Sequence, residues 1–392
     1  MTQTDDSIPQ LAWQSGDVRH TLRWHSEAGN PPPKRVVEAD DQIPADTAYK
    51  LACEGTGLLW RGDFQNARLL LQALGRRIDR ARERAEAKKK GAPASPDAAQ
   101  PGHAFHHQRQ MQAQRARILG MLLIPFEPGF SVPLRRAPDV QAACREAYGE
   151  ALAGEAFAAS LRELQGLIGA HEWRKKGVAI AALDGAIHPY YGVFSPVRGE
   201  YVDLVAQAPL PSTELAFDIG VGSGVLSAVL ARRGVRKIVA TDTDPRALAC
   251  AAENLTALAV RKQVELKQAD LFPEGRAPVI VCNPPWLPAR PSSPIEHAVY
   301  DPDSRMLLGF LNGLAQHLAP GGEGWLIMSD FAEHLGLRPR GMLAGAIAGA
   351  GLEVAGRHDI KPRHGKAADR DDPLHAARSK ETTTLWRLKA RA

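Results

Sequence analysis

The second half of the chain predicts an α/β fold on a largely parallel sheet, and three observations carry that expectation. Short β-branched runs alternate with amphipathic helical stretches, the pattern of strand–helix–strand crossovers. Four such runs in succession finish on a polar or glycine-rich end. The fourth, Val279-Ile280-Val281, stops at Asn283-Pro284-Pro285-Trp286, where two prolines cannot continue a sheet ladder. The first 170 residues predict something else, a mostly helical accessory domain, so the expected domains are residues 1–170 and 171–392.

In chain order, residues 1–45 are polar, with the breaker Asn30-Pro31-Pro32-Pro33, and predict irregular structure. A helix follows Pro44. A second leads from Phe64 through Leu69, Leu70, Leu71 and Leu74 into the charged run Arg76–Lys90. That run has eight basic and three acidic residues, a net of +5. It reads as a solvated helix end or as a phosphate-binding arm. Residues 86–108 predict a disordered stretch, rich in Ala, Pro, Gly and Gln toward its middle. His103, His106 and His107 have no partner carboxylate or thiol nearby in sequence and read as a surface cluster. A helix from Arg109 stops at Pro125, and Phe157, Leu161, Leu164 and Ile168 stand at helical spacing. His171–Val178 is a basic cluster with Trp173 in it, suited to a phosphate backbone and a stacked base, or simply to solvent.

The catalytic half is more explicit. Glu200–Ala208 predicts a helix. Leu215–Ile219 predicts a strand that runs through Asp218 into Gly220, Gly222 and Gly224, glycines that let backbone turn tightly and approach a ligand. Lys237–Asp242 predicts a second strand. Its acidic end, about twenty residues on, suits a ribose. Gln263–Ala269 predicts a third, ending at Asp270. Gly224–Arg233 and Pro245–Ala259 supply the crossover helices, the second with proline well placed in its first turn. After Trp286, residues 287–302 are too proline-rich for a helix and read as a lid or substrate loop. Ser304–Leu318 predicts a helix, Pro320-Gly321-Gly322 a turn, Gly324–Ser329 a strand and Arg340–Gly349 a helix. Leu352–Ile360 and Thr382–Leu388 predict two last strands. Between these, residues 361–380 hold six Lys or Arg and three Asp, a net of +3, either a mobile basic loop for nucleic acid or a surface insertion.

The whole chain has 392 residues, 44% of them hydrophobic and 24% charged, an ordinary globular composition. A net charge of +5 and a pI near 9.0 permit a nucleic-acid partner without requiring one. Four cysteines, Cys53, Cys144, Cys250 and Cys282, show no paired spacing, which predicts neither a disulfide framework nor a zinc site. The N-terminus carries no signal-peptide pattern and no run reaches a membrane span, so cytoplasm is the expected location. Nothing in the sequence sets the oligomeric state.

The tetrapeptide suggests specific chemistry. The lone pair of a base amine or a carboxamide nitrogen is delocalised into its π system. The Asn283 side-chain oxygen and a main-chain carbonyl such as that of Pro284 would each accept one of its N–H groups. Holding both protons that way favours a tetrahedral nitrogen and frees the lone pair. Pro284 and Pro285 fix the backbone, and Trp286 would stack on a flat substrate, worth roughly 1–3 kcal/mol. The plainer reading is a proline-ended strand with a core Trp.

Together, Asp218-x-Gly220-x-Gly222-x-Gly224, Asp242, Asp270 and Asn283-Pro284-Pro285-Trp286 resemble the motif order of class I S-adenosylmethionine-dependent methyltransferases. The sequence is most similar to their "small" group, which shares Gly192-Val193-Phe194-Ser195-Pro196 and includes ribosomal RNA base N-methyltransferases and release-factor glutamine methyltransferases. The resemblance covers residues 171–392. It implies a Rossmann-like seven-stranded sheet ending in an antiparallel hairpin. It implies that Asp218 and the three glycines line the methionine part of S-adenosylmethionine, that Asp242 binds the ribose and Asp270 the adenine amine. Phe194 and Ser195 would contact cofactor, and Tyr190 and Tyr191 substrate. It implies methylation of a planar NH2 nitrogen, first an exocyclic base amine in RNA, ribosomal by preference. The alternatives are glutamine in a protein such as a release factor, DNA adenine, or a non-catalytic RNA-binding module. A dehydrogenase fits the glycines and Asp242 but leaves the tetrapeptide unexplained. No metal is implied.

Overall fold

The computed structural model describes residues 8–89, 102–363 and 369–391. The chain divides into two units, residues 1–99 with 106–172, and residues 100–105 with 173–392.

In the first unit helices stand near the expected positions, though the one expected from Arg109 to Leu123 begins at His103 and ends at Leu119. These are α1 (Ala45–Cys53), α2 (Phe64–Lys89), α3 (His103–Leu119), α4 (Gln141–Tyr148) and α5 (Leu161–Lys176). They accompany a six-stranded sheet that the sequence reading lacks. Its strands are β1 (Gln10–Ser15), β2 (Val18–Trp24), β3 (Arg35–Ala39), β4 (Thr56–Trp60), β5 (Leu122–Phe126) and β6 (Phe157–Ser160), in the order β1-β2-β6-β5-β4-β3. The "mostly helical" expectation is therefore corrected. β4 and β5 are buried at every residue, so neither shows the alternation that marks a half-exposed strand. Pro125 lies inside β5. It is tolerated because β4 stops pairing with β5 at Leu123, two residues earlier. The supposedly irregular first 45 residues hold β1 to β3, with Leu11 and Trp13 turned inward on β1. Phe157, expected on a helix, lies in β6. Of the expected disordered stretch, residues 90–101 lie outside the described residues. On its flanks the chain is helical, as α2 through Lys89 and α3 from His103.

The second unit follows the sequence closely. A small hairpin of β7 (Val178–Ile180) and β8 (Gly185–Ile187) and helix α6 (Glu200–Gln207) lead in. Then come β9 (Leu215–Ile219), α7 (Val225–Arg232), β10 (Lys237–Asp242), α8 (Pro245–Ala257), β11 (Val264–Gln268) and β12 (Ala277–Cys282). After these come α9 (Arg305–His317), β13 (Leu318–Ser329), α10 (Phe331–His334), α11 (Met342–Gly349), β14 (Leu352–Ile360) and β15 (Thr383–Ala390). The sheet order is β11-β10-β9-β12-β13-β15-β14. β9 to β13 are parallel and β15 is antiparallel to both neighbours. The expected turn at Pro320-Gly321-Gly322 falls within β13, where the register jumps from Ala277–Leu318 to Val279–Glu323.

Both faces of this sheet are covered. Ala216, Val279, Val281, Trp325 and Ile327 pack with α6, α7 and α8. Phe217, Ile219, Ile280, Cys282 and Leu326 pack with Leu307, Phe310, Leu311 and Leu314 of α9 and with α11. Each fully buried side chain of this kind contributes roughly 1.5–3 kcal/mol. The order reverses between β9 and β12, which opens a crevice at their carboxyl ends.

Candidate active site

Register brings the motifs to one edge. Ile219 pairs with Cys282 and with Thr241, and Asp242 pairs with Gln268. The residues that follow, Gly220, Asn283 and Asp270, leave the sheet around Asp242 at neighbouring strand ends, and Gly220 and Asn283 flank the switch-point crevice.

The glycine turn is held from below. The amides of Gly220 and Val221 both donate to the Thr241 carbonyl, at 2.9 and 2.8 Å. Gly220, Gly222 and Gly224 all have left-handed φ, of 77°, 52° and 84°, a region side chains rarely adopt. A Cβ at Gly224 would sit 3.2 Å from the Ala251 backbone of α8, so this glycine serves helix packing. A Cβ at Gly220 would meet Met306. At Gly222 it would meet nothing within 4 Å, which leaves the backbone open to approach there.

Three acids surround this turn. Asp242 Oδ2 accepts from the Gly222 amide and Oδ1 from the Asp244 amide, both at 3.0 Å, while burial raises its carboxyl pKa. Asp218 is 1% exposed and points toward α7, where Ser227 Oγ donates to its Oδ2 at 2.6 Å. Its Oδ1 is buried without a donor among the described residues. Burial pushes the Asp218 carboxyl up to about 7, against the Ser227 hydrogen bonds and helped by nearby Asp242. Asp270 is half exposed and ion-paired with Arg305 at the start of α9.

On the other side of the crevice, Pro284 is buried and Asn283, Pro285 and Trp286 are half-buried. The Trp286 Nε1–H donates to Asn283 Oδ1 at 3.0 Å. An indole N–H only donates, so this bond fixes which atom of the amide faces it. Trp286 packs against the apolar clusters on both faces of the sheet, and its carbonyl accepts from buried Arg338 at 3.2 Å. This orienting bond was not legible in the sequence, which assigned the indole to stacking alone.

The approach segment lies on α8. Val193 packs with Ala247 and Cys250. Phe194 is half-buried and tilted against Tyr201, 6.2 Å between ring centres. Ser195 Oγ accepts from Trp173 Nε1 at 3.2 Å. Arg174, from the basic cluster at residues 171–178, is paired with Glu253 at 2.6 Å and stacked over Tyr190. In the 361–380 insertion, residues 364–368 lie outside the described residues. Lys361 Nζ donates to the carbonyls of Lys380 and Glu381 and to Thr382 Oγ1, and Arg378 pairs with Asp372. Two of its six cations thus hold its own base together, while Arg370 and Lys380 are exposed. Among the described residues, no group of three or more His, Cys, Asp or Glu is placed to hold a metal ion, and no helix is long and apolar enough to cross a membrane. All four cysteines are free thiols.

An open doubly covered sheet, a glycine turn, a strand-end acid and an amide at the switch point define an enzyme of the nucleotide-cofactor class. The family description "Ribosomal protein L11 methyltransferase (PrmA)" matches residues 205–284. A release factor glutamine methyltransferase from Cereibacter sphaeroides is 36% identical over 168 residues, 41% of this chain and 56% of that protein. A tRNA1(Val) (adenine(37)-N6)-methyltransferase from Shewanella loihica is 30% identical over 186 residues, 45% of this chain and 74% of that protein. A putative protein N5-glutamine methyltransferase from Methanocaldococcus jannaschii is 33% identical over 161 residues, 39% of this chain and 79% of that protein. The chain belongs to the class I S-adenosylmethionine-dependent methyltransferases. It spans little more than half the length of the Cereibacter relative.

Proposed function

We propose that this protein methylates a planar NH2 nitrogen, and that the acceptor is an exocyclic base amine in RNA, ribosomal RNA first. The observation that carries the reading is Asn283 at the switch-point crevice, beside the strand end that opens the glycine turn. When bound, S-adenosylmethionine supplies an electrophilic methyl group whose C–S bond breaks as the N–C bond forms, leaving a neutral thioether.

The residues present fit that cofactor. The donor-less Asp218 Oδ1 suits an ammonium group at the methionine end. The open side of Gly222 suits close backbone approach along the Gly220–Gly224 turn. Asp242 carries two hydrogen bonds, and a carboxylate has about four acceptor sites, so it retains capacity for ribose hydroxyls. Asp270 would take the adenine amine by sharing or displacing Arg305, an exposed partner worth little. Phe194 and Ser195 would cover the cofactor from the α8 side.

On the acceptor, Asn283 would use its second oxygen lone pair, the first being held by Trp286. The Pro284 carbonyl would accept the other N–H. Pro284 and Pro285 keep these acceptors still, and the ring of Trp286 would lie on the substrate face. The proton lost from nitrogen passes to solvent after transfer, so no strong base is required. The chain's share is positioning and hydrogen bonding.

A second reading, glutamine methylation in a protein, has the named Cereibacter and Methanocaldococcus relatives in its favour. Radiolabelled S-adenosylmethionine given with RNA and protein from a deletion strain separates them. Label in one RNA species is the expected result. Label in a protein glutamine would replace the first reading with the second, and label nowhere would remove both.

A further inference from the structure

Trp286 leads straight into a hydrogen-bonded loop that returns to the start of α9. The Leu287 amide donates to the Val299 carbonyl at 3.2 Å, and the Asp301 amide donates back to the Leu287 carbonyl at 2.8 Å. Asp301 is 5% exposed. Both oxygens of its carboxylate are used on the first turn of α9. Oδ1 accepts from the Met306 amide at 3.0 Å and Oδ2 from the Leu307 amide at 3.1 Å. A usual cap stands directly before its helix. Asp301 does the same from further up the chain, so the cap is also part of the loop. In the turn between, Asp303 and Ser304 stand one after the other at left-handed φ, 56° and 55°, which residues other than glycine rarely adopt. The two residues that open α9 lie on the other half of the site. Arg305 is paired with Asp270, and the Met306 methyl lies 2.7 Å from where a Cβ on Gly220 would stand. One line of contacts therefore runs from the acceptor tetrapeptide through Leu287, Asp301 and α9 to the glycine turn and Asp270. Arg338 holds the Trp286 carbonyl at the other end, and burial lowers its pKa against the nearby charges of Glu333 and Asp301.

We propose that Asp301 is a positioning residue that couples the cofactor half of the site to the acceptor half. Its carboxylate fixes the start of α9, and its amide fixes the segment that leaves Asn283-Pro284-Pro285-Trp286. A group seated against Gly220 and Asp270 therefore stiffens that segment. This deepens the reading above and rests on its cofactor placement, whatever the acceptor. Coupling of this kind is reciprocal. An acceptor that orders the segment tightens cofactor binding by the same factor.

Amide hydrogen exchange of the full chain, with and without S-adenosylmethionine, tests this without an acceptor. In wild type the cofactor should slow exchange across residues 287–301 by about fivefold or more, beside the protection at its own contacts. In Asp301→Ala the cofactor-dependent protection of 287–301 should vanish while that of 218–224 remains. Cofactor affinity by calorimetry should stay within about threefold of wild type. Asp301→Asn keeps the shape and one acceptor oxygen, and should lose part of the protection; it carries the test if the alanine variant does not fold. A cap that only holds α9 in place would leave the cofactor-dependent difference unchanged. That result in the folded variants, or no protection of 287–301 in wild type, would overturn the proposal and leave cofactor binding standing. Failure of wild type to bind S-adenosylmethionine would overturn the cofactor placement itself.

Discussion

Two aspartates, one in each unit, have the same 1% exposure and opposite surroundings, Asp63 under two exposed arginines and Asp218 inside the sheet core. Asp63, three residues past the end of β4, is 1% exposed. Every oxygen it has is engaged. Oδ1 accepts from the Gln65 amide at 2.9 Å, and Oδ2 meets Arg136 at 2.7 Å and Arg135 at 3.0 Å. The Arg136 hydrogen bond holds its carboxyl down to about 2. Asp218 has Ser227 as its partner and, among the described residues, one oxygen without a donor, and deep burial pushes its carboxyl up to about 7. A carboxylate satisfied from within its own unit is a structural part. On the reading proposed above, one left short of donors just before the glycine turn is kept for the cofactor.

The comparison can be sharpened by substitution. The largest effect on cofactor binding should belong to Asp218→Asn, which on the proposed reading removes the charge offered to a cofactor ammonium. Cofactor affinity should fall tenfold or more by calorimetry, and wild-type affinity should rise with pH up to about 7 and level off above it. Stability without cofactor carries the same signature. The folded carboxyl holds its proton to about pH 7, while the unfolded one loses it near 4, so stability falls as pH rises through that window, by at most about 4 kcal/mol. Denaturant midpoints should show this fall in wild type and not in Asp218→Asn.

Trp286→Phe comes next. It keeps an aromatic face and deletes the hydrogen bond to Asn283 Oδ1, worth about 1 kcal/mol. The expected result is a kcat five- to tenfold lower at unchanged cofactor affinity. An unchanged kcat would mean the indole only stacks. The smallest catalytic effect belongs to Asp63→Asn, which should leave turnover alone and lower the melting temperature. Its pH dependence has the opposite sign to that of Asp218. The Asp63 carboxyl is depressed, so its stabilisation is present above about pH 4 and lost as pH falls toward 2. A change in cofactor binding for Asp63→Asn would break the distinction between the two aspartates.

Legibility follows the same line. In the second unit, the four successive strands β9 to β12 run into polar or glycine-rich ends, and the apolar runs find them and the closing pair β14 and β15. In the first unit, β4 and β5 are five-residue apolar runs buried on both faces, and such runs read equally well as helix segments. β1 did carry an alternating signal in Leu11 and Trp13, hidden in a polar, proline-containing stretch. The motif residues of the site were visible as types and spacings. The Trp286–Asn283 bond was not, because an indole's direction depends on packing from both sides of the sheet. The basic clusters were left open in the sequence, since a lysine or arginine there does not say whether it faces a phosphate, solvent or, like Lys361 and Arg174, its own chain.

The most direct test of the account is Asn283→Ala, with cofactor affinity and single-turnover methyl transfer measured on the same preparation. The account predicts an affinity within about twofold of wild type and a transfer rate lower by about 10²-fold or more, the scale of losing a positioned hydrogen-bonding group at a reacting centre. A variant that binds cofactor and still transfers methyl at the wild-type rate would contradict it.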